Sequence, residues 1–127
     1  MSWLGRALLG AMGLLGAPLG PVNRQALVVR PKQPVADWNN ACAPDGPISA
    51  EITLANRHVI LIDVETDLDD WLEVYGVLMF KWMLNGCFTD PALWPEDLSV
   101  ENFREWCDLE LIDSVLDVSR ASFRADE

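Results

Sequence analysis

Two consecutive elements constrain this chain most: an apolar run from His58 to Val64 and a long amphipathic stretch from Thr66 to Gly86. Val59, Ile60, Leu61 and Ile62 are apolar at successive positions, and therefore on both faces of a strand. That pattern predicts a central strand covered on both sides. The turn after it is very short, and TDLDDWLEVYGVLMFKWMLNG then reads as one helix. Thr66 suits the N-cap, where a hydroxyl accepts from a free N–H of the first turn, and Asp69 stands where a capping box places its acid. Asp67, Asp69, Asp70 and Glu73 crowd the end at which the helix dipole favours negative charge. Lys81 lies towards the other end, and Gly86 offers a left-handed stop. Leu68, Trp71, Leu72, Tyr75, Leu78, Met79, Trp82 and Met83 follow the i, i+3, i+4, i+7 stripe. Val77, Phe80 and Leu84 make the opposite side apolar as well. A helix apolar all round is covered on both sides, by its own domain, a partner or a membrane.

The remaining elements arrange themselves around this pair. Gln25–Arg30 reads as a short strand rich in β-branched residues, ended by Pro31. Pro34–Ala41 reads as a helix with proline in its first turn and with Val35 and Trp38 facing the core. Cys42–Ser49 is a Pro/Gly loop, and Glu51–Asn56 is ambiguous between patterns. Cys87–Leu98 is a second loop, in which Trp94 is pushed extended by Pro95. Ser99 caps another helix with Val100, Phe103, Trp106 and Cys107 on its apolar side. Leu109–Val118 fits both periods and is read as a strand, because a sheet needs a third member. The expectation is an α+β fold, a small three-stranded sheet packed by helices in the order β-α-β-α-α-β. It occupies a single domain over residues 22–118, followed by a flexible tail, 119–127.

Residues 1–21 differ from the rest: they hold no acid, one base (Arg6), five glycines and two prolines in an otherwise apolar run. So much glycine makes a poor helix. The leading reading is a start-site artefact, with translation beginning at Val22, whose codon serves as a bacterial start when it is GTG. The alternatives are a signal or anchor with a thin basic region, and a flexible or interfacial appendage; a membrane-associated or exported protein follows only if the segment is translated.

Charge narrows the function classes. A formal net charge of −11, from 20 acidic and 9 basic residues, disfavours nonspecific nucleic-acid binding and charge-driven attachment to anionic lipid. It suits dispersal in water, or a partner with a basic face. Cys42, Cys87 and Cys107 are widely spaced, no C-x-x-C occurs and His58 is the only histidine, so no metal-ligand motif is present and no cofactor is expected. Buried reduced thiols in a cytoplasmic protein are the simplest account.

Four groups of residues could carry chemistry. Asp63 and Glu65, at the end of an apolar strand, resemble the D-x-E of a two-metal exonuclease, but the downstream histidine motif of that chemistry is missing. Asp63, Glu65 and Asp67 imitate the odd positions of an EF-hand loop, with Leu68 where glycine belongs and Val74 where glutamate belongs. Arg30 and Lys32, with Arg24 nearby, form the one basic cluster, able to hold a phosphate or carboxylate or to pair with surface acids. Trp71, Trp82, Trp94 and Trp106 fit a core better than a binding groove.

From Gln25 to Val118 the chain resembles a family of small, uncharacterised bacterial proteins. The residues that carry the likeness are VVRPKQPVADW, Leu93-Trp94-Pro95, and Phe103 with Trp106. The resemblance implies a short cytoplasmic α+β protein beginning near Val22, and it brings no activity and no site residues. The functional expectation is therefore a non-enzymatic protein-binding module. Its binding residues would be Asp63, Glu65, Asp67, Asp69 and Asp70, with Arg30 and Lys32 as a secondary group, and its partner a protein with a basic face. A metal-dependent phosphodiesterase at Asp63 and Glu65 is the alternative.

Overall fold

A computed structural model describes residues 20–119. The readings of the N-terminal extension up to residue 19, and of the tail from residue 120, lie outside them. The described elements are β1 (Gly20–Pro21), β2 (Arg24–Pro31), α1 (Gln33–Cys42), α2 (Ala50–Ala55), β3 (His58–Asp63), α3 (Leu68–Asn85), a 3-10 turn (Pro91–Leu93), α4 (Val100–Trp106), β4 (Cys107–Ile112) and β5 (Leu116–Asp117). The main sheet is antiparallel with the order β3-β2-β4, and β1 pairs with β5 beside it. This is an α+β fold with the expected three-stranded sheet. The ambiguous Glu51–Asn56 stretch supplies an additional short helix, α2, whose N-cap Ser49 accepts from the Glu51 N–H at 3.2 Å.

Strand β2 is the centre of the sheet, not the more apolar β3. It pairs with β3 from Arg24↔Asp63 to Val29↔His58, and with β4 from Ala26↔Ile112 to Pro31↔Cys107. Residues directly opposite in an antiparallel ladder share a face. One face therefore collects Leu27 with Ile60 and Leu111, and Val29 with His58 and Leu109. Helices α1, α3 and α4 cover it: Leu27, Val29, Val35, Leu72, Phe80, Met83, Leu84, Phe103 and Cys107 form one buried cluster. The other face carries Ala26, Val28 and Arg30 with Val59, Leu61, Glu110 and Ile112. Strand β3 is thus an edge, and its outward Val59 and Leu61 are 62% and 42% exposed. The expectation of a strand covered on both faces fails because periodicity reports apolarity and not the number of neighbours a strand finds.

Helix α3 also departs from its expected capping. Asp67, not Thr66, is the N-cap, and its carboxylate accepts from the Asp70 N–H at 3.1 Å. The Thr66 hydroxyl is committed instead to the Asp63 carbonyl. Gly86 is right-handed (φ −67°), because the backbone carries on into one more turn, where the Phe88 N–H donates to the Leu84 carbonyl at 2.9 Å. The buried seam runs through Leu72, Gly76, Phe80, Met83 and Leu84. Tyr75, Leu78 and Trp82, placed inward by the sequence stripe, are exposed, while Phe80 and Leu84 from the supposed opposite side are fully buried. With apolar residues on every side, periodicity alone could not choose the flank that meets the sheet.

Aromatic contacts link the core to the α1 side of the domain. Phe80 and Phe103 stack at 5.0 Å, Phe80 meets Trp106 edge-on at 5.7 Å, and Trp106 approaches Trp38 at 5.8 Å. Trp38 then donates its indole N–H to the Leu93 carbonyl at 2.8 Å, which ties the Pro-rich loop to α1. Buried thiol Cys107 sits 3.3 Å from the Met83 sulfur, and burial pushes its pKa up to about 12, so it stays protonated.

Gly76 lets α4 approach α3 closely: a Cβ there would lie 2.8 Å from Val100 Cγ2. Val100 is β-branched and held in a helix, so its methyl has little freedom to withdraw. Gly76→Ala should therefore destabilise the fold by about 1–3 kcal/mol of overpacking, outweighing the roughly 1 kcal/mol that alanine gains over glycine within a helix. Adding Val100→Ala should recover most of the lost unfolding midpoint; a single Gly76→Ala variant more stable than the native chain would refute the close approach.

Candidate functional site

The acidic residues converge on the junction of β3 and α3. Asp63 ends β3, Glu65 lies in the turn, Asp67 caps the helix and Asp69 and Asp70 occupy its first turn. All five are exposed. The turn is fixed from below by Gln25, a buried residue of β2 that no sequence pattern singled out. Its side-chain oxygen accepts from the Thr66 N–H at 3.0 Å, and its amide donates to Asp113 Oδ1 at 2.6 Å. Both ends of a buried amide are thereby satisfied, as its burial requires. Thr66 then donates its hydroxyl to the carbonyl of Asp63 and closes the turn. Glu65 takes the left-handed conformation (φ 60°), which is uncommon for a residue with a Cβ. Strain of this kind persists where surrounding contacts over-determine the backbone, and the Gln25–Thr66–Asp63 bonds do so here.

Neither Asp63, Glu65, Asp67 nor Asp70 forms an ion pair with a described residue, whereas Asp69 pairs with Arg104 of α4. The carboxylates at this corner therefore face solvent with most of their charge uncompensated. Among the described residues no group of three His, Cys, Asp or Glu side chains is arranged to hold a metal ion.

The structure does not bring the basic residues to the same place. Arg24 lies opposite Asp63, but Arg30 and Lys32 stand at the far end of β2, about 20 Å away at the rise of a strand. Arg30 pairs with Glu110 across the sheet at 2.6 Å. Lys32 precedes α1 and its backbone N–H donates to the Trp106 carbonyl at 2.8 Å. Of the tryptophans considered for a groove, Trp71, Trp94 and Trp106 pack against the core, while Trp82 is 51% exposed. Trp82 meets His58 edge-on at 5.2 Å, and burial beside it lowers the histidine pKa, which keeps the ring neutral at pH 7.

Fold and site together define a small α+β domain that displays a rigidly held acidic corner. No protein-family model, curated protein or solved structure matches the chain. No described helix is long and apolar enough to cross a membrane.

Gln25→Ala should expose the dependence of this corner on one buried amide. The Thr66 N–H, which is part-buried, loses its acceptor, a cost of about 1 kcal/mol, the low end for a donor left unmade. Thermal unfolding should show the loss, and amide exchange at Thr66 and its neighbours should quicken more than elsewhere. Unchanged exchange at Thr66 would contradict the role given to Gln25.

Proposed function

We propose that the chain is a non-enzymatic protein-binding module whose acidic corner receives a partner with a basic face. The observation that carries this reading is the uncompensated charge of Asp63, Glu65, Asp67 and Asp70 on a turn anchored by Gln25. Carboxylates held on a fixed backbone lose little conformational freedom on pairing, and an interface gains from that preorganisation. Complementary charge also speeds encounter and rejects acidic competitors, including nucleic acid. Asp69, already engaged by Arg104, contributes field more than contact. Arg30 has an acid of its own in Glu110, so the basic group plays a secondary part. A reducing, cytoplasmic setting belongs to the same proposal: Cys42, Cys87 and Cys107 are all free thiols.

The test compares the native chain with Asp63→Asn/Glu65→Gln/Asp70→Asn, which removes charge while leaving the Asp67 cap in place. A basic protein captured by the native chain should bind the variant at least about tenfold more weakly, and its affinity should fall steeply with added salt. Equal binding by the variant, or no capture above an unrelated protein of matched charge, would overturn the proposal.

A further inference from the structure

We propose that the edge of β3, unpaired among the described residues, pairs antiparallel with the same edge of a second copy of this chain, with Ile60 opposite Ile60 of that copy. This goes beyond the acidic corner, with which the edge shares only Asp63. An unprotected edge strand is a template for another strand, and proteins that avoid such pairing place proline, charges or bulges there. From His58 to Asp63, β3 has no proline and no lysine, and its ladder with β2 runs six pairs without a bulge. The opposite edge is guarded: β4 presents Asp108 and Glu110 on one face, which would meet like charges in a symmetric pairing about Leu109.

Charge selects the register on β3. Centring the two-fold axis on Ile60 sets Val59 against Leu61, His58 against Ile62, and Arg57, just before the strand, against Asp63 of the second copy. Every exposed apolar residue of the edge then meets an apolar one, and two opposite-charge pairs close the ends. Centring it on Leu61 would instead set Val59 against Asp63 and Arg57 against Glu65, which lies outside the strand with φ 60°. The acidic corner of each copy sits at the Asp63 end of β3 and so falls at opposite ends of the pair. Each corner lies beside Arg57 of the other copy, which limits the repulsion expected of a chain with net charge −11.

Helix α3 supplies the second contact. Trp71, Tyr75, Leu78 and Trp82 recur at helical spacing along one flank, and Trp82 reaches His58 at the start of β3, so this flank overhangs the open edge. An apolar cleft of ≈ 260 Å³, lined by Val59, Ile60, Met79 and Trp82, lies at the same edge and is placed to take Ile60 of the second copy. A two-fold axis through the strand pair brings the two α3 flanks side by side, which covers a surface that water otherwise meets.

Sedimentation equilibrium of the full chain tests this. The native chain should run at twice its 14.2 kDa mass at micromolar concentration. Val59→Lys, at an exposed position, should give a folded monomer whose unfolding midpoint no longer depends on protein concentration. Arg57→Asp and Asp63→Arg should each weaken the dimer at least about tenfold, and the double variant should return to within about threefold of the native constant, because the swapped charges pair again. A chain monomeric up to about 1 mM, a dimer indifferent to Val59→Lys, or a double variant no better than the singles would overturn the proposal. A monomer that still captures a basic partner through its acidic corner removes the self-pairing and leaves the binding function; a dimer that captures none does the reverse.

Discussion

The two-sided pairing of β2 is the constraint on which the structure depends. Its backbone hydrogen bonds run to β3 on one side and to β4 on the other, and a buried strand left short of either partner would carry unsatisfied polar groups. From Gln25 to Val29 every residue is buried. Leu27 and Val29 face the helices, while Ala26 and Val28 sit on the opposite face between the side chains of the flanking strands. The one polar residue in that run, Gln25, is also the one that reaches out of the sheet, to Thr66 and Asp113. Packing and site geometry are joined through it: the strand that centres the core also holds the turn on which the acids stand.

Helix α3 shows how one element serves two surfaces. Its seam through Leu72, Gly76 and Phe80 fits the sheet and α4, with Gly76 allowing Val100 to close in. Its flank through Tyr75, Leu78 and Trp82 is left to solvent in the isolated chain. Exposed aromatic and aliphatic residues in a continuous row, beside an open strand edge, are uncommon on a protein that acts alone. The acidic first turn and this apolar flank lie on the same helix, so association through the flank and recognition through the corner are compatible without sharing residues of α3.

Much of the architecture was legible in the sequence. The short strand at Gln25–Arg30, the proline-started helix, the strand–turn–helix unit and the Ser99 cap follow local rules, and Ser99 accepts from Asn102 N–H at 3.2 Å as such a cap should. Strand order was not legible. HVILIDV outscores QALVVR in apolarity, yet the less apolar strand takes the centre, because that choice is settled by ladder partners far along the chain. The buried flank of α3 was hidden for a related reason: a helix apolar on every side has no period to read. Gln25 escaped notice because a glutamine in a short strand carries no signal until Thr66 and Asp113, distant in sequence, are brought to it. The acids of the corner were visible as a row, but that Asp67 caps and Asp69 pairs with Arg104 depends on tertiary contacts.

The central position of β2 is tested most directly by backbone nuclear Overhauser contacts across the ladder in solution. The account predicts cross-strand contacts from Leu27 to both Ile60 and Leu111, with Val29 reaching both His58 and Leu109. Contacts from β3 to β4, or contacts from β2 to one neighbour alone, would contradict it and remove the anchor on which the acidic corner rests.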